Sequence, residues 1–186
     1  MKNLTFIAFS VLLLAACQTS SDEMVTPGAT SSIAQRSNQP RAFQANLTGT
    51  VDFNSVPTPC HEFVPVAAFD YNVSGNATHL GNLNASLSII NHDECDLDLD
   101  AATLTTVVSG ALVAANGDLI TYTGLDVINV FNLLTESGPN GPITGTWTIT
   151  GGTGRFEDAS GSFTISGLVD FTTLNFTAVA DGTITF

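Results

Sequence analysis

Lysine is all but missing from this chain. Of 186 residues, 4 are Lys or Arg against 17 Asp or Glu. The one lysine is Lys2, and the other bases are Arg36, Arg41 and Arg155. With Asp22 and Glu23 lying upstream, residues 42–186 hold 15 acids and a single base, Arg155, for a net charge of −14. Binding to nucleic acid or to anionic lipid headgroups needs clustered Lys and Arg, so the composition excludes nucleic acid as a partner. Strong acidity favours solubility and cationic partners, and it also suits a protein in salty water.

Helical periodicity is missing too: no stretch beyond residue 16 carries apolar residues at 3.6-residue spacing. There is no Gly-x-Ser-x-Gly elbow, which removes support for serine-hydrolase chemistry. The glycine-rich run Ile149-Thr-Gly-Gly-Thr-Gly-Arg-Phe156 invites a phosphate loop, but a Walker loop needs Lys-Ser/Thr running into a helix. A dinucleotide loop needs a third glycine where Glu157 stands. Gly151, Gly152 and Gly154 therefore serve a turn between strands that needs unusual φ, with Phe156 re-entering the core and Arg155 pairing with Glu157 or Asp158.

What is present begins at the N-terminus. Lys2 precedes a short apolar run, Leu4–Leu14, which is too short to span a bilayer. Leu14-Ala15-Ala16-Cys17 then has the pattern of a bacterial lipobox. Residues 1–16 read as a lipoprotein signal peptide, with Cys17 acylated on its thiol and on its freed amine; several acyl chains anchor stably where one does not. Gln18 after the cysteine favours the outer over the inner membrane, so the expected location is the bacterial cell envelope, held to the bilayer through Cys17. Residues 17–41, rich in Ser, Thr, Gln and Pro, read as a disordered tether. Residues 42–186 remain as one domain.

The dominant period in that domain is two. Phe43 to Phe53, Val66 to Ser74, Ala77 to Asn91, Asp96 to Ala115, Leu119 to Val130, Ile143 to Thr150, Gly161 to Asp170 and Leu174 to Phe186 each alternate apolar with polar residues. Asn116-Gly117 suits a two-residue type I′ hairpin turn, and 135–142 reads as a loop. About eight strands with one apolar face make an all-β sandwich or closed barrel, and closure would remove edges that a Lys-poor chain has few charges to guard. Cys60 and Cys95 sit in an exported, oxidising compartment and are expected to pair as a disulfide.

Three pieces look like a known family. "GGTGRFEDASGSFTISG" resembles the turn shared by allene oxide cyclases and dirigent proteins. "SGNATHLGNLN" (74–84) and "ALVAANGDLITYTG" (111–124) resemble segments of a bacterial group of secreted proteins with the same barrel. The resemblance implies a single antiparallel eight-stranded barrel, often trimeric, with an apolar cavity that steers a small molecule by shape. No catalytic residue of the family maps onto this chain.

Candidate chemistry is sparse. His79 lies in phase with Leu83, Ala85 and Leu87, which would turn it inward as a general acid or base; a structural histidine at a strand end is the plainer reading. If Cys60 and Cys95 are bonded, His61, Glu62, His92, Asp93 and Glu94 come to one rim, where imidazole and carboxylate could hold a divalent metal ion. The run Asp96 to Val107 fails the calcium-loop pattern, with Ala101 where glycine and Val107 where glutamate are needed. Thr144, Thr146, Thr148 and Thr150 form a ladder that ordinary strand propensity explains. The first expectation is a non-catalytic lipoprotein without cofactor, binding a small hydrophobic ligand or a partner protein. Alternatives are an isomerase, cyclase or lyase working in the barrel cavity, and a metal-binding protein.

Overall fold

The structure is a computed structural model that describes residues 39–186. The expected signal peptide, Cys17 and the tether up to residue 38 lie outside the described residues. Eleven strands appear among the described residues: β1 (Arg41–Val51), β2 (Thr58–Pro59), β3 (Ala67–Ala68), β4 (Tyr71–Ala77), β5 (Gly81–Asn82), β6 (Ile89–Asp98), β7 (Thr103–Val113), β8 (Leu119–Asn129), β9 (Asn140–Gly152), β10 (Ser160–Asp170) and β11 (Asn175–Thr185). One short helix, α1 (Phe131–Thr135), joins β8 to β9. Eight strands form a largely closed antiparallel ring in the order β1-β11-β10-β9-β8-β7-β6-β4, and β4 returns to β1 over seven residue pairs. The expected all-β, barrel-like architecture is present.

Period two does the work along the wall. In β1, Phe43, Ala45, Leu47 and Val51 are buried while Gln44, Asn46, Thr48 and Thr50 face water. In β9, Trp147 and Ile149 point in and all four threonines from Thr144 to Thr150 point out. That ladder continues sideways, since Thr148 lies opposite Thr123 on β8 and Ser162 on β10.

The ring has one thin seam. β4 and β6 share only two residue pairs, Tyr71↔Ile90 and Asn72↔Ile89. Two non-ring segments cover the gap. On one side, residues 81–88 turn back along β4 and β7: Leu83 N–H donates to Gly75 O at 2.9 Å, Val73 N–H to Ser88 O at 2.8 Å and Val113 N–H to Ser88 Oγ at 2.9 Å. On the other, the 52–70 loop lies along β6: Leu97 N–H donates to Cys60 O at 2.9 Å, and Thr58 Oγ1 donates to His92 O at 2.6 Å. Buried backbone groups need such partners, so these segments stand in for missing strand pairing.

Several expectations need correcting here. Residues 77–91 are not one strand; the chain turns at 78–80, with His79 at φ 68°, pairs briefly as β5, and turns again where Ser88 N–H reaches Asn84 O at 2.9 Å. The strand expected from Asp96 to Ala115 is two strands. Asp98 Oδ1 accepts the Asp100 and Ala101 N–H groups at 2.9 Å each, an Asx turn that ends β6. Between β7 and β8 only Gly117 takes a positive φ, 93°; Gly117 N–H reaches Ala114 O at 2.9 Å, so a three-residue loop with glycine in the left-handed position replaces the two-residue turn. Part of the expected 135–142 loop is α1 and the start of β9.

Inside the ring the aromatics fill the space. Trp147 and Tyr122 stack with centroids 4.4 Å apart and planes at 5°, Phe163 sits edge-on to Trp147 at 5.5 Å, and Phe43 lies 4.7 Å from Phe163. All four are essentially fully buried. Inward glycines leave room for them: a Cβ on Gly124 would stand 2.4 Å from the Trp147 ring, and one on Gly145 1.9 Å from Asp126 Oδ1. Proteins close-pack their interiors, and a ring this full tolerates no added methyl. Gly124→Ala is therefore expected to cost about 1–3 kcal/mol in urea unfolding, whereas Thr148→Ala on the wet face of β9 stays within about 0.5 kcal/mol.

Candidate functional site

Antiparallel strands alternate direction, so the connections sort to the two ends of the ring. The 52–70, 99–102, 130–139 and 171–174 segments gather at the end where β1 finishes, the Val51 end. The 78–88, 114–118 and 153–159 segments gather at the Arg41 end, where the described chain enters and where it finishes at Phe186.

Cys60 and Cys95 are bonded, with Cα atoms 4.5 Å apart, so the expected disulfide is present. It pins the 52–70 loop to β6 at the Val51 end. The histidines and acids beside it do not converge. His61 Nδ1 accepts the Phe63 and Val64 N–H groups at 3.0 and 3.1 Å, which uses its lone pair inside its own turn. His92 points inward, its ring edge-on to Tyr71 at 5.6 Å, and its Nδ1 has no protein partner. Burial pulls the His92 pKa below its ordinary value, against the opposing pull of Asp70, and so favours the neutral ring. Asp93 and Glu94 face solvent at a bulge in β6. Among the described residues, no three His, Cys, Asp or Glu side chains come together to hold a metal ion.

His79 is not in the interior. It stands in the turn after β4 at the Arg41 end, half-buried, its Nε2 3.1 Å from Ala42 O and its ring against Phe186 at 5.3 Å. Arg155 pairs with neither expected neighbour. Its Nε lies 3.6 Å from Asp118 Oδ2 and its Nη2 donates to His79 O, so one guanidinium ties the β9–β10 turn to two other turns of that end. Gly151 (φ 150°) and Gly154 (φ 60°) adopt the unusual backbone angles expected of that turn, and Phe156 is fully buried. Asn116 holds Asp118 by its side chain, with Nδ2 3.0 Å from Asp118 Oδ2. These residues build an end of the ring rather than a catalytic constellation.

One buried ionisable group escaped the sequence reading. Asp126 faces inward from β8 and accepts a hydrogen bond from Trp147 Nε1 at 2.7 Å. Its phase could have revealed it, because it shares a face with Tyr122, Gly124 and Ile128. Burial raises its pKa to about 7, and the indole bond only partly opposes this. Thr106, directly opposite on β7, is fully buried and leaves its hydroxyl without a protein partner. Tyr71, at the start of β4, is pushed by burial to about 12.

Most of the large exposed apolar side chains lie at the Val51 end. Phe53, Val56 and Phe63 in the 52–70 loop are 71, 87 and 83 % exposed. Leu99 in the β6–β7 turn and Phe131, Leu133 and Leu134 of α1 are exposed beside them. A cavity of about 80 Å³ opens within this end between Val66, Phe69, Tyr71, Leu133, Phe171 and Leu174. It is roughly half the ~150 Å³ that admits benzene and far below the about 300–1,000 Å³ of small-molecule sites. The larger hollows, up to about 460 Å³, are outer-wall grooves beside Asn46, Thr48, Leu168 and Thr177, outside the lumen. Comparison with family models, curated proteins and solved structures found no match for this chain.

Two outcomes follow from this geometry. A folded pKa for Asp126 raised from 3.8 to about 7 means the unfolded chain ionises first; the penalty is absent below about pH 4, grows as pH rises towards 7 and is complete above it. Its full size is on the order of 4 kcal/mol. Asp126→Asn, which mimics the protonated acid, is thus expected to match the wild type at pH 3.5 and exceed its thermal midpoint at pH 8; equal midpoints at both pH values would refute the assignment. Removing the staple as Cys60→Ser/Cys95→Ser is expected to cost about 3–4 kcal/mol in urea unfolding.

Proposed function

We propose that this protein is a bacterial envelope lipoprotein, held in the outer membrane through acylated Cys17, whose barrel-like domain binds a partner protein at its Val51 end without catalysis. The observation that carries the reading is the contrast between a lumen filled by Trp147, Tyr122 and Phe163 and an apolar end that opens an 80 Å³ cavity. Exposed apolar side chains grouped at one end are characteristic of an interaction site. A cavity of that size suits one apolar side chain of a partner, the kind of anchor that dominates interface energetics.

The direction of the chain supports the same reading. The tether runs into β1 at Arg41, so anchoring on Cys17 leaves the Val51 end as the far end of the domain. The wall between the ends carries Asp181 as the one charged outward side chain on β9, β10 and β11 between Gly141 and Val169 or facing them, and is otherwise Thr and Ser with Pro142, Leu168 and Val179. An isomerase or cyclase acting within the ring would need His79 beside a cavity. His79 sits at the Arg41 end and the cavity at the other. The likeness to allene oxide cyclases and dirigent proteins thus bears on the barrel alone, since a shared fold does not carry a shared activity.

Two measurements test the reading. Cys17→Ala is expected to move the protein from the detergent-extracted membrane fraction to the soluble fraction. A photo-crosslinking residue placed at Phe131 in intact cells is expected to give a discrete protein adduct that the same residue at Thr146 on the wall does not. Absence of any adduct at Phe131, with adducts at Thr146, would move the binding surface to the wall.

A further inference from the structure

We propose that the partner of the Val51 end is a cationic amphipathic protein segment, one that presents Lys or Arg around an apolar anchor. This deepens the partner-binding reading above and rests on it.

The inference comes from how charge is distributed over the two ends. Both bases among the described residues, Arg41 and Arg155, lie at the Arg41 end. There Arg41 stacks over Phe186 at 4.5 Å, and Arg155 is held by Asp118 and His79. Among the described residues, the Val51 end has no Lys or Arg. The same end carries Asp52, Glu62, Asp98, Asp100, Glu136 and Asp170, each at least partly exposed. The carboxylates come from every connection at that end: the 52–70 loop, the β6–β7 turn, the segment after α1, and the β10–β11 turn.

An end that combines exposed apolar residues with carboxylates and lacks Lys and Arg selects among possible occupants. A second copy docking end to end would bring six acids against six, and like charges facing across an interface cost several kcal/mol. An anionic bilayer is repelled by the same sign. A neutral apolar segment would gain from the apolar residues but nothing from the carboxylates. A segment with Lys or Arg flanking Leu, Phe or Met satisfies both, seating its apolar side chain between Phe69, Leu133 and Phe171 while its cations meet the carboxylates. The disulfide holds the chain segment that carries Glu62 and Phe63 against β6.

The test uses the full-length protein in detergent and three synthetic amphipathic peptides of equal length: leucine–lysine, leucine–serine and leucine–glutamate. Binding is followed by calorimetry or anisotropy at 50 and 300 mM salt. The leucine–lysine peptide is expected to bind at least about tenfold tighter than the leucine–serine peptide at low salt, with most of that difference lost at high salt. Leu133→Asp is expected to weaken its binding at least about tenfold, through the anchor. Glu62→Gln/Asp100→Asn/Glu136→Gln is expected to weaken it about fivefold and flatten the salt dependence. Leu125→Asp on the outer wall is expected to leave it unchanged. Equal binding of the lysine and serine peptides, both lost in Leu133→Asp, would overturn the cationic class while sparing the partner site. Peptide binding equally weakened by Leu125→Asp would overturn both. Dimerisation of the free protein abolished by Leu133→Asp, or stronger binding to phosphatidylglycerol vesicles than to phosphatidylcholine vesicles, would also overturn the proposal.

Discussion

The ring of strands depends on how its seam between β4 and β6 is covered. Two residue pairs join these strands, against eleven between β7 and β8. An open edge there would expose β6 backbone groups and invite pairing with another chain. The chain closes the gap with its own connections. Residues 81–88 lie over one part, and the 52–70 loop, fixed by the Cys60–Cys95 bond, lies over the other. Closure in turn dictates the interior, because a small ring of eight strands leaves space for side chains and little else. Trp147, Tyr122, Phe163 and Phe43 occupy it, and glycines at 124 and 145 make their fit possible.

The proposed function rests on the same constraint. On that reading, a filled lumen leaves recognition to the outer surface. The segment that patches the seam is also the one that carries Phe53, Val56, Phe63 and Glu62, so the device that closes the fold builds the Val51 surface. The Arg41 end shows the opposite design: Arg155, Asp118, His79 and Asn116 hold its turns to one another. Asp126 is an exception inside the ring. A carboxyl bonded to Trp147 Nε1 lowers stability near neutral pH, and keeping it there spends stability on orienting the indole.

Much of the wall was legible in residue order. β1, β8, β9, β10 and β11 alternate over ten or more residues, and the β8–β9 and β9–β10 connections carry glycine with asparagine or aspartate. The disulfide was legible from cysteine number and compartment. The 77–91 error has a physical cause: Leu83, Leu87 and Ile89 keep period two by coincidence, while Asn84 and Ser88 make local hydrogen bonds that outcompete an extended strand. Alternation also misassigned His79, whose φ of 68° belongs to a turn. Arg155 was matched to acids near in sequence, yet its partner Asp118 arrives from another hairpin. No local pattern marks the Val51 end, because its exposed apolar residues come from separate loops that only the folded ring brings together.

The most direct test of the closure account is the exchange rate of the Leu97 amide. If Cys60 O stands in for a missing strand, that amide is protected in the native protein. In Cys60→Ser/Cys95→Ser its exchange should accelerate clearly more than that of the Trp147 amide, deep in the β8–β9–β10 wall, whose acceleration is limited to the roughly 100–1,000-fold that a global loss of about 3–4 kcal/mol allows. Equal protection of Leu97 with and without the disulfide, or fast exchange in both, would contradict a ring closed by the stapled loop.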